Sequence, residues 1–302
     1  MVGGEELDPP QFGKVQISIK PKNGTFVSDF DKTQIKNKLK SYSIAGINSE
    51  IVDLKILYVE LDSTVYYNPA QILSENNLKT QITTALNNYA DNVEINKFGG
   101  RFKYSKINQL IDRVENGVTS NITKVIIRRD MKALLNQFAQ YELCFGNQFY
   151  VNPAGYNIKS TGFTVSGTSS IAYFTDIPNK DAAGNLDGSM KGAISVVSKN
   201  NKDEEVVLIK SAGSVDYKKG EIILNTINIA STQASNNIIE VQAYPESNDV
   251  IGLKDLFVSF DVSNSSINMR KDVIASGEDV SGVVFTRDYF TSSYSNGVLE
   301  RK

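Results

Sequence analysis

Helical periodicity is confined to the first 131 residues of this chain, and that asymmetry constrains the fold more than any other feature. Three stretches before Met131 carry apolar residues at helical spacing. From Lys132 onward they give way to short β-rich runs punctuated by Gly, Ser, Asn and Thr. The 302 residues suffice for about two cores. The expected fold class is therefore α+β. Residues 1–10 read as a linker cut from something longer. Residues 11–131 read as an α+β domain with helices on a small mixed sheet. Residues 132–290 read as a mostly antiparallel all-β domain, built as a sandwich, and 291–302 as a tail.

The first domain opens with a strand whose limits are set by proline. Pro9, Pro10 and Pro21 exclude a helix on either side, and Val15, Ile17 and Ile19 alternate with Lys14, Gln16, Ser18 and Lys20. Asn23-Gly24 turns the chain, and Ser28 caps a helix to about Tyr42 with Ile35, Leu39 and Tyr42 on its apolar stripe. Ile51 to Tyr67 is too β-branched and aromatic for a helix. Val52, Leu54, Ile56 and Tyr58 share one face and Leu57, Val59 and Leu61 the other, so apolar cover is expected on both sides, with Asp62-Ser63 as a possible hairpin. A second helix spans Ala70 to Ala90 with Leu78, Ile82, Ala85, Leu86 and Tyr89 inward. After Gly99-Gly100, a third begins at Ser105 and ends at Gly117, and a strand follows at Thr123 to Arg129.

In the second domain strands are expected at Tyr141–Phe145, Gly162–Val165, Ile171–Phe174, Ala193–Ser198, Val206–Lys210, Ile238–Ala243, Leu256–Val262 and Val283–Arg287. The clearest hairpin sets Val215 and Tyr217 against Ile222 and Leu224 across Lys218-Lys219-Gly220.

Composition narrows the chemistry. The chain has no histidine, so the commonest general base and transition-metal ligand is missing. Its one cysteine, Cys144, lies in an apolar Leu143-Cys144-Phe145 run and reads as packing. The 32 basic and 34 acidic residues leave a net charge of -2, which gives no field for nucleic acid or an anionic membrane. The lysines around the first helix, Lys32, Lys36, Lys38 and Lys40, read as a solvated face. No apolar run approaches a membrane span, and no signal peptide pattern precedes the first strand.

Motif candidates fail on their spacing. In Asp181 to Gly188, a calcium loop that uses Asn185 and Asp187 would need carboxylates where Ala183 and Ile194 stand, so a surface turn is expected. Gly162 to Ser169 has phosphate-loop spacing, but Thr168 replaces the lysine and no helix pattern follows. The acid groups Asp29 with Asp31 and Asp203-Glu204-Glu205 read as solvated charges, and the chain has no tryptophan to floor a sugar cleft. No catalytic residue, metal ligand, cofactor or small-molecule substrate is therefore expected.

Gln11 to Pro21, the strand at Ile51 to Tyr67, and the run from Phe98-Gly99-Gly100-Arg101 through Gly117 to Asn121 together resemble the C-terminal part of baseplate J-like proteins. These are wedge proteins of contractile phage tails and related injection machines. The wedge-ring members of that family are the most similar in kind, extending to Gln242-Ala243-Tyr244-Pro245 in the β-rich half. The resemblance implies a non-enzymatic protein of the virion tail baseplate, assembled in the host cytoplasm. It would pair with itself and with other wedge proteins, then close an inner ring that persists while the baseplate changes shape. It also implies that the chain is a C-terminal fragment with Met1 an added start. The aromatic group Phe138, Tyr141, Phe145, Phe149 and Tyr150 reads first as core between the halves. The interface candidates are whichever of Tyr141, Phe145, Phe149 and Tyr150 remain exposed. The alternative is a glycan-binding or adhesin module in the β half.

Overall fold

Residues 2–52 build a sheet of their own. The computed structural model describes residues 2–6, 10–21, 27–42, 46–52, 54–91, 95–200, 202, 204–234, 236–254, 256–272, 294–295 and 298–299. Strand β1 (Val2–Gly3) pairs antiparallel with β2 (Lys14–Ser18), so Val2 and Gly3, expected in a linker, add an edge to the first sheet. Helix α1 (Asp29–Lys40) returns the chain to β3 (Asn48–Val52), which runs parallel to β2 with Lys14 opposite Asn48. Ser28 caps α1 as its sequence predicts, its Oγ accepting from the Asp31 N–H at 3.1 Å. Asp29 and Asp31 in the first turn and Lys38 and Lys40 in the last complement the helix dipole. Yet none of its residues is buried, and Ile35 and Leu39 are only half covered. The Asn23-Gly24 turn lies outside the described residues.

The central layer consists of β4 (Lys55–Tyr67), α2 (Glu75–Ala90), β5 (Lys97–Phe98), β6 (Arg101–Phe102), α3 (Tyr104–Asp112) and β7 (Val118–Lys132). Asp62-Ser63 does not break β4. The antiparallel partner β7 follows it from Tyr58 opposite Arg128 to Tyr67 opposite Val118, and the buried Ser63 hydroxyl is satisfied by Thr123 Oγ1 at 2.7 Å. Helix α2 starts later than expected because Ser74 caps it, and it buries Leu78, Ile82, Leu86 and Tyr89. Helix α3 is capped at Lys103 with no side-chain bond, not at Ser105, and ends before Gly117. Ile107 and Ile111 join the α2 residues over Leu57, Val59, Leu61 and Val65 of β4 in one core. Each such side chain contributes about 1.5–3 kcal/mol by its burial.

The second half supplies β8 (Phe138–Cys144), β9 (Lys159–Ser160), β10 (Phe163–Val165), β11 (Ala172–Pro178), β12 (Lys191–Lys199), β13 (Glu205–Asp216), β14 (Glu221–Thr232), β15 (Ile238–Ala243), β16 (Val250–Ile251), β17 (Leu256–Phe260) and β18 (Ser266–Lys271). It is not a sandwich. Strands β10, β14, β13, β12 and β11 pair in that order, and β10 pairs back onto β11 through Phe163 and Ala172, which closes a small barrel. Closure leaves no open edge within the five strands, and the Phe163 and Phe174 rings meet inside it at 4.4 Å between centroids. Val215 lies opposite Ile222 as the hairpin pattern predicts, but Tyr217 leaves the ladder. It occupies the turn that closes at Gly220 (φ 66°), fully buried, and its hydroxyl donates to Asp176 Oδ2 at 2.7 Å. The other Asp176 oxygen accepts from the Ile158 N–H at 2.7 Å. Burial, then the Asp176 charge, push the Tyr217 phenol far above its ordinary pKa.

The sheet crosses the expected division near Met131, which falls inside β7. β15 pairs with β7, and β9 joins it to the barrel, with Lys159 opposite both Thr175 and Gln242. β17 and β18 return to run parallel beside β4, so the central layer is mixed. Val283–Arg287 lies outside the described residues. Within 291–302, only β19 (Tyr294–Ser295) and β20 (Val298–Leu299) are described.

Tyr217→Phe strips Asp176 of one of its two donors at a fully buried site. The loss expected in urea denaturation is about 1–3 kcal/mol with the fold retained.

Candidate functional site

The face of β4 that sequence periodicity assigns to apolar cover carries a buried ion network instead. Tyr58 and Glu60 from β4, Arg128 and Asp130 from β7, and Glu240 and Gln242 from β15 share one face by strand register. Asp261, in the link from β17 to β18, completes the group. Arg128 Nε donates to Glu60 Oε1, and Nη1 serves both Asp130 and, at 3.1 Å, Glu240 Oε1. Nη2 reaches Asp261 Oδ2 at 2.9 Å, and the guanidinium carbon lies 4.1 Å from the Tyr58 ring centroid. Gln242 Nε2 donates to the second Glu60 oxygen at 2.9 Å. The Arg128 and Glu60 side chains are 4% and 3% exposed.

Burial sets the proton affinities here. It raises the Glu60 carboxyl above the ordinary range, with the Arg128 hydrogen bond and charge opposing, and raises Asp130 against the same cation. Burial also raises Asp261, but hydrogen bonds from Ser263 and Asn264 outweigh it and leave that carboxyl low. For Arg128, the carboxylates overcome burial and hold its proton more firmly than usual. Arg128, a permanently charged cation locked among carboxylates, offers no nucleophile. Its role here is attachment of three strands and the β17–β18 link to one another.

Sequence-nominated positions are spread out. In the Asp181 loop, Asp181 Oδ1 accepts from the Ala183 and Asn185 N–H groups, and Asp187 Oδ1 accepts from Ser189, so these carboxylates shape exposed turns. Gly162 to Ser169 is strand β10 and a turn at Gly167 (φ 89°). Asp31 serves the α1 cap, Asp29 accepts from Lys32 Nζ at 3.2 Å, and Asp203 lies outside the described residues. Cys144 is half-buried at the end of β8. Among the described residues no group of carboxylates and thiols is arranged to hold a metal ion. An open cleft of about 360 Å³ on the barrel is lined by residues including Lys191, Asp216, Lys219 and Glu221, and none of its lining residues is aromatic.

The four aromatic candidates divide. Phe145 and Phe149 are fully buried, packed edge to face at 5.0 Å. Tyr141 is half-buried, its hydroxyl accepting from the Leu134 N–H. Tyr150 is 48% exposed, and Phe138 is exposed as well. The sequence reading missed a stronger apolar surface on the first sheet. Phe12 precedes β2, Ile47 precedes β3 and Tyr42 follows α1. The parallel register of β2 and β3 puts all three at one end of the βαβ unit, Phe12 83% and Tyr42 78% exposed. Aromatic residues flanking the first strand and helix were the available signal.

Residues 1–52 match the family described as baseplate structural protein gp6, C-terminal domain I, and residues 55–130 match C-terminal domain III of the same protein. A stretch of 127 residues is 28% identical to baseplate wedge protein gp6 of Enterobacteria phage T4, taking in 41% of this chain and 19% of that protein. The match thus spans about a fifth of that relative's length. The first match coincides with the separate βαβ sheet, and the second with β4 through nearly all of β7.

Arg128→Met leaves four carboxylates without their common cation and should cost about 3–5 kcal/mol in urea denaturation. Tyr58→Leu, which removes only the stacking ring, should cost about 2 kcal/mol or less.

Proposed function

From the relation of the first 130 residues to the C-terminal region of baseplate gp6, we propose that this chain is a structural component of a contractile phage tail baseplate wedge. In this reading it works by self-association, first as a dimer and then as an inner ring that joins wedges around the hub and survives the baseplate shape change. Other wedge proteins are its further partners, it catalyses nothing, and its place is the virion tail after assembly in the host cytoplasm. The observation that carries the reading is the ordered succession of two gp6 domains on two separate sheets.

A ring of one repeated chain requires two distinct contact surfaces, because a single two-fold patch is exhausted in a dimer. Two candidates lie on different parts of the chain. The Phe12, Tyr42 and Ile47 end of the βαβ unit is one, and the exposed Tyr150 on the second half is the other. Phe145 and Phe149 belong to the core behind them. The α1 unit, with no buried residue in its helix, has apolar surface to cover and little core of its own to lose.

Sedimentation of the purified chain over a wide concentration range should reveal dimers and larger species. Tyr42→Asp and Tyr150→Asp, both at exposed positions, should each weaken a different association step by about tenfold or more in Kd without lowering the unfolding midpoint. A strict monomer at every concentration would overturn the reading.

A further inference from the structure

The hydrogen bonds of the Arg128 seam leave its charge unbalanced. Glu60, Asp130, Glu240 and Asp261 converge on one guanidinium, so full ionisation would place four negative charges against one positive charge where Arg128 and Glu60 are nearly free of water. Asp130 and Glu240 aggravate this. They stand directly opposite each other on β7 and β15, and both address the same nitrogen, Nη1. Like charges opposed across a ladder repel, and poor solvation strengthens the repulsion. Burial first, then the neighbouring negative charges, make Glu60 and Asp130 hold their protons above the ordinary carboxylate range.

The groups facing the seam are Tyr58 and Glu60 from β4, Arg128 and Asp130 from β7, Glu240 and the neutral Gln242 from β15, and Asp261 with Ser263 and Asn264 from the β17–β18 link. Arg129 points to the other face, where its Nη1 donates to the Cys144 carbonyl, and its charge reaches Asp130 only as a minor influence. The seam therefore joins β4 and β7 of the first half to β15 and the β17–β18 link of the second.

We propose that the seam is a proton-operated clamp. Uptake of one proton by Glu60 or Asp130 beside Arg128 relieves the surplus repulsion and tightens the hold of β4 and β7 on β15 and the β17–β18 link. The direction follows from the individual groups. Glu60 and Asp130 bind protons more readily in the fold than unfolded, so their contribution is full below the ordinary carboxylate range and is lost as pH rises through their raised values. Asp261, held low, contributes above the ordinary range and loses its contribution as pH falls through its depressed value. The clamp is tightest near the ordinary carboxylate range, where the Asp261 contribution is in place and that of Glu60 and Asp130 has not yet been lost.

The test is urea unfolding and amide hydrogen exchange of the whole chain from about pH 4.5 to about pH 8. One proton of difference between folded and unfolded states changes the unfolding constant by up to about tenfold per pH unit. The expected result is an unfolding constant that rises as pH rises through the titration of the seam. Amides of β15 should lose protection over the same interval, after correction for intrinsic exchange. Glu60→Gln and Asp130→Asn keep the side-chain shape and remove the charge, so each should flatten the slope. Variants that keep the wild-type slope would overturn the proposal. Should both variants fail to fold, wild-type β15 protection that does not change with pH would overturn it.

Discussion

One guanidinium holds the middle of this protein together. Arg128 reaches β4 through Glu60, its own strand through Asp130, β15 through Glu240 and the β17–β18 link through Asp261, so four chain segments far apart in sequence share one cation. Buried ion pairs add little net stability compared with well-packed apolar residues, because desolvation offsets most of their attraction. What this network does supply is register. Sliding β15 by one residue against β7 would turn Glu240 and Gln242 to the face where Ile239 and Val241 belong, and would strand a buried charge.

With the centre fixed in this way, the rest of the fold divides into parts of different character. The layer of β4, β7, α2 and α3 shares one continuous apolar core with the second half, whose barrel closes its five strands upon themselves. The βαβ unit of residues 2–52 is different, with a helix that buries none of its residues and exposed aromatics at one end. A domain so poorly provided with core is well suited to be completed by a neighbour. The proposed role in a repeated assembly follows from that property together with the gp6 relationship.

Local chemistry made part of this architecture legible in the sequence. Ser28 capping α1, the inward stripe of α2 and the pairing of Val215 with Ile222 depend on residues close in the chain, and each appears where its pattern indicates. Long-range features were not legible. Barrel closure depends on a single pair, Phe163 with Ala172, which no periodicity reports, so five antiparallel strands read as a sandwich. β18 was overlooked because Ser266 to Lys271 is polar at alternate positions and buries only Ile267 fully. The Arg128 seam was hidden for a related reason. Glu60 in an apolar strand and Arg128 beside Arg129 show no pairing in the sequence, because only the register of three strands puts their charges together. Of the aromatic candidates, the sequence could not tell that Phe145 and Phe149 face inward against each other while Tyr150 does not.

The most direct test of the account is an image of an assembled contractile tail that contains this chain, at a resolution that separates strands. The account predicts copies arranged in a closed ring about the tail axis, with the Phe12 and Tyr42 end of the βαβ unit and the Tyr150 face of the second half each covered by a neighbouring subunit. A tail in which the chain is absent from the baseplate, or present as isolated copies with both surfaces open to solvent, would contradict it.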